Sequence, residues 1–272
     1  MKPEKQNVFS RQSFLGKNSQ QQIEKCVVGI VGLGGGGSHI AQQLAHLGFL
    51  NYYLFDTDRI EDTNLNRLVG GTQEDVEQVT LKIDIACRVI KGVRPNANVE
   101  RIPDVWQNRA ESLKRCDIVF GCVDGFDQRR QLEAAARRYL IPLIDVGMDV
   151  VVPGGGAPEI SGQVILSMPG EPCMTCMGFL HETVLAREAA KYGDAGINPQ
   201  VVWSNGVLAA TAVGVAVDLV TDWSRSLRKR VYLCYRGSTG TMTSHVRLDY
   251  LSSEPCPHFP LTGTGDPKYQ PI

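Results

Sequence analysis

The chain of 272 residues is 43% hydrophobic and 21% charged, and its formal net charge is −1. This length can bury one large hydrophobic core or two smaller ones. The near-zero charge excludes a strongly basic nucleic-acid-binding protein and provides no general attraction to an anionic membrane surface.

The N-terminus and the cysteines predict the cellular compartment. The first residues, MKPEKQNVFSRQ, are polar and lack the basic and then apolar pattern of an export signal. We therefore expect a cytoplasmic protein with reduced cysteines, in which clustered cysteines indicate a metal site or catalysis. The most apolar segment, residues 206–220, is too short to span a membrane and is expected to form a buried helix.

Strand and helix patterns alternate in the first half of the chain. Strands are predicted at residues 26–31, 51–56, 98–102, 117–122 and 142–146. Helices are predicted at residues 38–47, 81–93 and 128–139. This alternation is typical of a parallel sheet with helices on both faces.

The pattern changes after residue 150, where a sequence rich in turns and strands predicts antiparallel structure. A polar stretch at 181–199 precedes the apolar helix, and further strands are predicted at 231–235 and 241–248. We predict an α/β fold: a Rossmann-like, mostly parallel sheet with a C-terminal antiparallel extension in the same domain. Its parts are an N-terminal arm (1–25), the Rossmann-like region (26–150), the extension (151–255) and a tail (256–272).

A glycine-rich loop, GLGGGG, joins the first predicted strand to the first helix. Gly32 can form the tight turn, and Gly37 allows the helix to pack closely on the strand. Gly34, in a run with Gly35, lets the backbone approach a phosphate at the helix N-terminus. Asp56 follows the second strand at the offset of an acid that holds ribose hydroxyls. This fingerprint indicates a nucleotide but does not distinguish NAD, FAD and ATP.

The residues after Asp56 favour a triphosphate. A triphosphate carries about twice the charge of a pyrophosphate diester, and its cleavage needs cations near the leaving pyrophosphate. Arg67 and Lys82 are placed to supply these cations, and Asp124 at the end of the fourth strand can hold Mg²⁺. Simpler interpretations also exist: Arg67 and Lys82 as solvated surface charges, and Asp124 as the N-cap of the next helix.

Several motifs occur together in a fixed order. GLGGGGS is followed by LFDTD, a DTNLNR run that ends at Arg67, then Lys82, CVD ending at Asp124, and EPCMTC. In combination they resemble the MoeB/ThiF/HesA family of ubiquitin-activating-like adenylyltransferases. The resemblance extends from residue 10 to Cys256.

The resemblance implies ATP-dependent adenylation of the C-terminal carboxylate of a small ubiquitin-like or sulfur-carrier protein that ends in Gly-Gly. A separate conjugating or sulfur-transfer protein would follow. The resemblance also implies a homodimer, in which Arg11 reaches the nucleotide site of the other subunit. Asp56 is implied to bind the ribose, and Asp124 to bind Mg²⁺. The other implied nucleotide-binding residues are Asp58, Asn64, Arg67 and Lys82, and the implied catalytic residues are Arg11, Arg67, Lys82 and Asp124.

Cys173 and Cys176 have the spacing of a metal-binding knuckle. The family completes a structural zinc site with a second Cys-x-x-Cys pair, whereas this chain offers only Cys256 and His258. These four residues can form a tetrahedral Cys₃His zinc site, and the alternative is a decayed site with free thiols.

Other departures affect the later steps of the reaction. Family members that form a thioester carry a cysteine in the loop before the apolar helix, and residues 181–205 contain none. The simplest hypothesis is therefore adenylation alone, with the remaining cysteines in the core. Residues 143–150 are expected to follow the fifth strand, where Asp145 and Asp149 either shape a groove for the substrate tail or cap turns.

Two other functions are compatible with a Rossmann-like start. An NAD(P)-dependent oxidoreductase would share the glycine loop, but no residue set for hydride chemistry is found, and Arg67, Lys82 and Asp124 would be unexplained. A non-catalytic dimeric scaffold would leave the same charged residues without a purpose.

Overall fold

One eight-stranded sheet runs through the structure, a computed structural model that describes residues 8–151, 156–190, 199–221, 223–224, 230–252 and 254–260. The strands are β1 (Val27–Val31), β2 (Asn51–Phe55), β3 (Asn98–Ile102), β4 (Ile118–Gly121), β5 (Leu143–Val151), β6 (Glu159–Ser167), β7 (Val231–Arg236) and β8 (Thr241–Ser244). Their spatial order is β3-β2-β1-β4-β5-β6-β7-β8.

The sheet combines a parallel and an antiparallel part. Strands β1 to β5 pair in parallel, and β5 to β8 pair in antiparallel fashion. The predicted mostly parallel sheet with an antiparallel extension is therefore confirmed. The chain moves outward from β1 to β2 and β3 and then returns to β4 on the other side of β1. This reversal creates a topological switch point between β1 and β4, where ligands bind in such sheets.

Helices cover both faces of the sheet. They are α1 (Ser19–Lys25), α2 (Gly35–Leu47), α3 (Gln73–Glu77), α4 (Lys82–Val93), α5 (Phe126–Arg138), α6 (Glu182–Ala190) and α7 (Val202–Val220). Short 3₁₀ segments lie at Ser10–Leu15, Asp62–Asn64, Trp106–Arg115 and Val246–Tyr250. One core joins α2, α4 and α7 to the sheet, and a second core on the opposite face contains α5 and the Trp106–Arg115 segment.

The apolar helix predicted at 206–220 is α7, and it begins four residues earlier than predicted, at Val202. Among the described helices, α7 alone has the length and composition to cross a membrane. Half of this stretch is buried inside the fold. A core helix has the same property, so the test is weak evidence for a membrane span.

Two strands differ from the prediction. Strand β5 continues to Val151, so residues 143–150 form the strand itself and do not follow it, because β6 pairs along this whole length. Strand β8 ends at Ser244, and the chain then forms a 3₁₀ turn. Residues 1–7 of the predicted arm, residues 191–198 of the polar stretch and the tail beyond residue 260 lie outside the described residues.

Candidate active site

The glycine loop lies at the switch point between β1 and β4. Gly32 has a φ of +87°, and its N–H donates to the Phe55 carbonyl at 2.9 Å. A Cβ on Gly32 would lie 2.5 Å from the Cys122 carbonyl oxygen. Only glycine fits this positive φ and this close approach without strain, so the predicted tight turn is present.

The same loop leaves an open backbone face at the start of α2. A Cβ on Gly37 would lie 1.9 Å from the Gly32 carbonyl oxygen, which explains the close packing of helix and strand. A Cβ on Gly34, by contrast, would meet no atom of the described residues within 4 Å, and Gly34, as the N-cap residue, has no side chain to cap the helix. The first N–H groups of α2 lack intrahelical partners, so this open face is suited to an anion such as phosphate.

Asp56 is tied to the glycine loop. Its Oδ2 accepts a hydrogen bond from the Leu33 N–H at 2.5 Å, and its Oδ1 accepts one from the Asp58 N–H at 2.8 Å. Burial raises the pKa of the Asp56 carboxyl, while these N–H donors and the charge of Lys82 oppose the rise. The side chain predicted to hold the ribose is thus positioned beside the predicted phosphate loop.

Lys82 is the first residue of α4 and points back to the same edge of the sheet. Its Nζ lies 2.8 Å from Asp58 Oδ2, and its side chain is 13% exposed. The interpretation of Lys82 as a freely solvated surface charge is therefore wrong. Asp58 is 62% exposed and can exchange this partner for another ligand.

Asn64 and Arg67 organise the loop that follows Asp58. Asn64 is buried, and its side-chain oxygen accepts from the Glu61 N–H at 3.1 Å. The Arg67 guanidinium donates to the Thr63 carbonyl at 2.6 Å and to Asn66 Oδ1 at 3.0 Å. Both side chains are therefore engaged within their own loop, and their contact with a phosphate remains a prediction.

Asp124 is exposed at the end of β4, on the same edge as the glycine loop. The N-cap of α5 is Gly125, so the interpretation of Asp124 as an N-cap is wrong. No ion pair forms on Asp124 within the described parts of the chain. An exposed carboxylate beside a phosphate loop fits Mg²⁺, which binds one or two carboxylates together with substrate phosphates.

Gln200 and Asn205 belong to this site but were not predicted. Gln200 Nε2 lies 3.5 Å from Asp124 Oδ1, and the Gln200 carbonyl accepts from Asn66 Nδ2 at 3.2 Å. Asn205 Nδ2 donates to Gln200 Oε1 at 3.4 Å and would lie 2.3 Å from a Cβ on Gly35. Asn205 thus explains the glycine at position 35, and a polar residue in the apolar α7 sequence is the signal that would have revealed it.

Asp145 and Asp149 both lie within β5, so neither caps a turn. Asp145 is fully buried, and its Oδ1 accepts from Arg129 Nη1 at 2.5 Å. Arg129 also donates to the carbonyls of Val146 and Val123. This buried ion pair joins α5 to β5 and holds the backbone immediately before Asp124. The expectation that Asp145 shapes a substrate groove is wrong, because its carboxylate is enclosed in the fold.

Arg11 lies far from the predicted nucleotide site of the same chain. The neighbouring Gln12 donates to the Leu47 carbonyl at 2.9 Å, which places the Arg11 segment at the C-terminal end of α2. The glycine loop is at the opposite end of this 13-residue helix, about 20 Å away at 1.5 Å per residue. Arg11 itself is exposed.

The four predicted zinc ligands come together at one point. Cys176 Sγ lies 3.7 Å from the sulfurs of Cys173 and Cys256, and His258 Nδ1 lies 3.4 to 3.5 Å from Cys176 and Cys173. All four ligand atoms lie within 4.8 Å of one another. A tetrahedral zinc ion requires about 3.8 Å between sulfurs and about 3.6 Å between sulfur and nitrogen. The donor set therefore fits zinc.

Relatives with known names match most of this chain. It is 28% identical over 271 residues to Ubiquitin-like modifier-activating enzyme 5 of Dictyostelium discoideum, a match that covers 91% of this chain and 64% of that protein. It is 27% identical over 246 residues to the SAMP-activating enzyme E1 of Haloferax volcanii, covering 89% and 83%. The chain spans 40 to 64% of the length of the first modifier-activating relatives that it matches.

Solved structures and a family profile agree on the fold. The crystal structure of E. coli MccB with ATP has a TM-score of 0.69 at 21% identity, covering 89% of this chain and 72% of that chain. The complex of MccB with MccA-N7isoASN has a TM-score of 0.73 at 21% identity, covering 90% and 72%. The profile of the ThiF family matches residues 9–257. The chain therefore belongs to the ThiF family.

Proposed function

We propose that the protein is an ATP-dependent adenylyltransferase that activates the C-terminal carboxylate of a small ubiquitin-like or sulfur-carrier protein. One observation carries the proposal: two series of contacts lead to the edge of the sheet that carries the glycine loop. One runs from Lys82 through Asp58 and Asp56 to the Leu33 N–H. The other runs from Arg67 through Asn66 and Gln200 to Asp124, in the contacts described above. Cations and carboxylates thus surround an open phosphate-binding backbone.

These residue types suit the attack of a carboxylate on the α-phosphate of ATP. A C-terminal carboxylate is already ionised at pH 7, so the reaction needs no general base. Catalysis then depends on alignment and on neutralising charge at the α-phosphate and the leaving pyrophosphate. Arg67 and Lys82 supply the positive charge, Asp56 holds the ribose, and the N-terminus of α2 faces a phosphate. Asp124 would hold Mg²⁺, which supplies further charge neutralisation on the phosphates.

The names of the relatives support a ubiquitin-like substrate. They activate ubiquitin-like modifiers or SAMP, and we propose the same class of small protein, with a Gly-Gly C-terminus, for this chain. Neither alternative, hydride transfer or a non-catalytic scaffold, gains support from the relatives or from the site.

The cysteines near the sheet support release of the adenylate without a thioester on these residues. Burial raises the pKa of the Cys26, Cys116 and Cys122 thiols to about 12. The nucleophile is the thiolate, and at pH 7 its fraction is negligible for such a thiol. A separate conjugating or sulfur-transfer protein would then accept the activated carboxylate.

A homodimer is supported by the exposed side of α7. Trp203, Val207, Ala210 and Gly214 are exposed and recur at helical spacing, so they form an apolar stripe along the helix. Trp203 is 57% exposed, which is unusual for a tryptophan outside an interface. We propose that a second copy of the chain packs on this stripe, because an apolar stripe can pack against its own copy across a two-fold axis.

The direction of α7 explains how Arg11 would reach a nucleotide site. α2 and α7 run in parallel, since Gly206 faces His39 and Asn205 faces Gly35 near the start of both helices. The Arg11 segment lies at the far end of α2. Antiparallel pairing of two α7 helices would bring the far end of one subunit to the nucleotide site of the other.

The proposed reaction is tested by ATP–pyrophosphate exchange with a small Gly-Gly protein. We expect Asp124→Ala to reduce exchange at least about 100-fold, in the range found when a charge-stabilising group is removed. The matched control is Asp117→Ala, a carboxylate at the opposite end of the same strand that accepts from the Val27 N–H. Full exchange by folded Asp124→Ala protein would remove Asp124 from the mechanism, and absence of exchange by the wild type with every such partner would refute the function.

A further inference from the structure

A buried polar network lies between α5 and the Cys173–Cys176 knuckle, outside the nucleotide site. Its side chains come from Glu133 and Arg137, one turn apart on α5, and from Ser167 at the end of β6. Their exposed fractions are 1%, 5% and 0%. Arg137 Nε donates to Ser167 Oγ at 2.8 Å, and the Ser167 hydroxyl donates to Glu133 Oε1. Burying two ionisable groups is costly, so a hydrogen-bonded network of this kind calls for a reason beyond stability.

The network holds the backbone on both sides of the ligand Cys173. Arg137 donates to the carbonyls of Glu171 and Pro172 at 2.7 and 2.9 Å. On the other side, Glu133 Oε1 accepts from the Met174 N–H at 2.8 Å. The peptide units before and after Cys173 are therefore fixed to α5.

Arg137 also contacts the second half of the metal site. Its guanidinium lies over the Phe259 ring, 5.7 Å from the ring centroid, and Phe259 follows the ligand His258. Cys176 and His258 are separated by 82 positions in sequence, so closing this loop costs entropy before any ligand binds. A side chain that contacts both segments reduces that cost.

We propose that Glu133, Arg137 and Ser167 are positioning residues that pre-form the split Cys₃His site for zinc. In most metal sites the outer hydrogen bonds orient the ligands, and loss of one costs about 10- to 100-fold in metal affinity. Here they act through the knuckle backbone and through Phe259. The inference depends on the metal site and not on adenylation.

The test is Co²⁺ binding to the full-length, metal-free chain. Binding is monitored through the absorption bands of thiolate-bound, tetrahedral Co²⁺, and the affinity is measured by competition with a chromophoric chelator. We expect Glu133→Ala and Arg137→Lys to weaken Co²⁺ affinity about 10- to 100-fold. Arg130→Lys is the matched control, because Arg130 is on the same helix and its side chain is 52% exposed. It should bind Co²⁺ like the wild type. ATP–pyrophosphate exchange measured on the same samples separates failure of this inference from failure of the proposed function.

Circular dichroism of the metal-free proteins shows whether a variant has folded. If either buried variant does not fold, Ser167→Ala replaces it in the test. This substitution removes only the bridging hydroxyl, and we again expect a lower Co²⁺ affinity. Wild-type affinity in the folded variants would overturn the proposal, since a network that only stabilises the fold would leave metal binding unchanged. A wild-type chain that binds no Co²⁺ at these ligands would also overturn it.

Discussion

Asp124 and Gln200 illustrate how an uncharged side chain can orient a charged neighbour. Asp124 is exposed and makes no described ion pair, so its orientation depends on weak contacts. The described contact of its carboxylate is with Gln200 Nε2 at 3.5 Å. Gln200 itself is anchored through its carbonyl by Asn66 and through Oε1 by Asn205. An anchored amide of this kind can hold a metal-binding carboxylate in one orientation.

We therefore expect Gln200→Ala to raise the Mg²⁺ concentration needed for half-maximal exchange about 10-fold, the lower end of the range for such partners because the contact is long. The rate at saturating Mg²⁺ should change little. The measurement is a Mg²⁺ titration of ATP–pyrophosphate exchange at fixed free ATP. Gln131→Ala is the control, because the Gln131 side chain bonds Gln107 and Asp127 and has no described contact with Asp124. An unchanged Mg²⁺ requirement in Gln200→Ala would contradict this role.

At the scale of single residues, local spacing predicted some positions and not others. The glycine loop and Asp56 were predictable because the strand–turn–helix unit fixes them within one short segment. Gln200 was not, since its partners are 76 and 134 positions away in sequence. Asp145 was misplaced, although an acid inside an apolar strand is a signal for a buried ion pair.

At the scale of elements, the predicted strands and helices of the parallel region were confirmed to within three residues, apart from the end of β5. Hydrophobic runs and the turns between them determine these elements locally. The length of β5 was underestimated, because its second half is stabilised by pairing with β6. Such pairing is a contact between two strands that the periodicity of one segment does not reveal.

The C-terminal end of α5 contains a strained residue that offers a stability test. Leu140 has a φ of +58°, and the Ile141 N–H donates to the Ala136 carbonyl at 2.8 Å, as in a Schellman motif. The left-handed conformation costs a leucine about 1–2 kcal/mol, and this side chain is 55% exposed. We expect Leu140→Gly to raise the free energy of unfolding by about 0.5–1 kcal/mol, because the entropy of glycine in the unfolded chain offsets part of the gain.

The measurement for Leu140→Gly is the midpoint of urea unfolding at an unchanged m-value. Leu140→Ala is the matched control, since it removes the same side chain but keeps the Cβ that makes the conformation unfavourable. An alanine variant as stable as the glycine variant would show that side-chain removal, and not backbone strain, determines the effect.

At the scale of the whole molecule, the apolar stripe on α7 and the position of Arg11 lead to the same geometry. α7 has 19 residues and is about 28 Å long. Phe14 and Trp223 stack edge to face near its C-terminal end, with ring centroids 6.2 Å apart, and both are exposed. Exposed aromatic side chains therefore lie at both ends of α7: Trp203 at its start, and Phe14 and Trp223 beside the segment that carries Arg11.

Mixed dimers test whether Arg11 acts in the other subunit. Arg11→Ala and Asp124→Ala chains should each be inactive in exchange as homodimers. If Arg11 acts across the interface, a dimer with one chain of each kind contains one intact site, formed by Asp124 of the first and Arg11 of the second. An equal mixture that exchanges subunits should then recover about a quarter of wild-type activity, since half of the dimers are mixed and each has one of two sites. No recovery in a mixture shown to contain mixed dimers would refute the action of Arg11 across the interface.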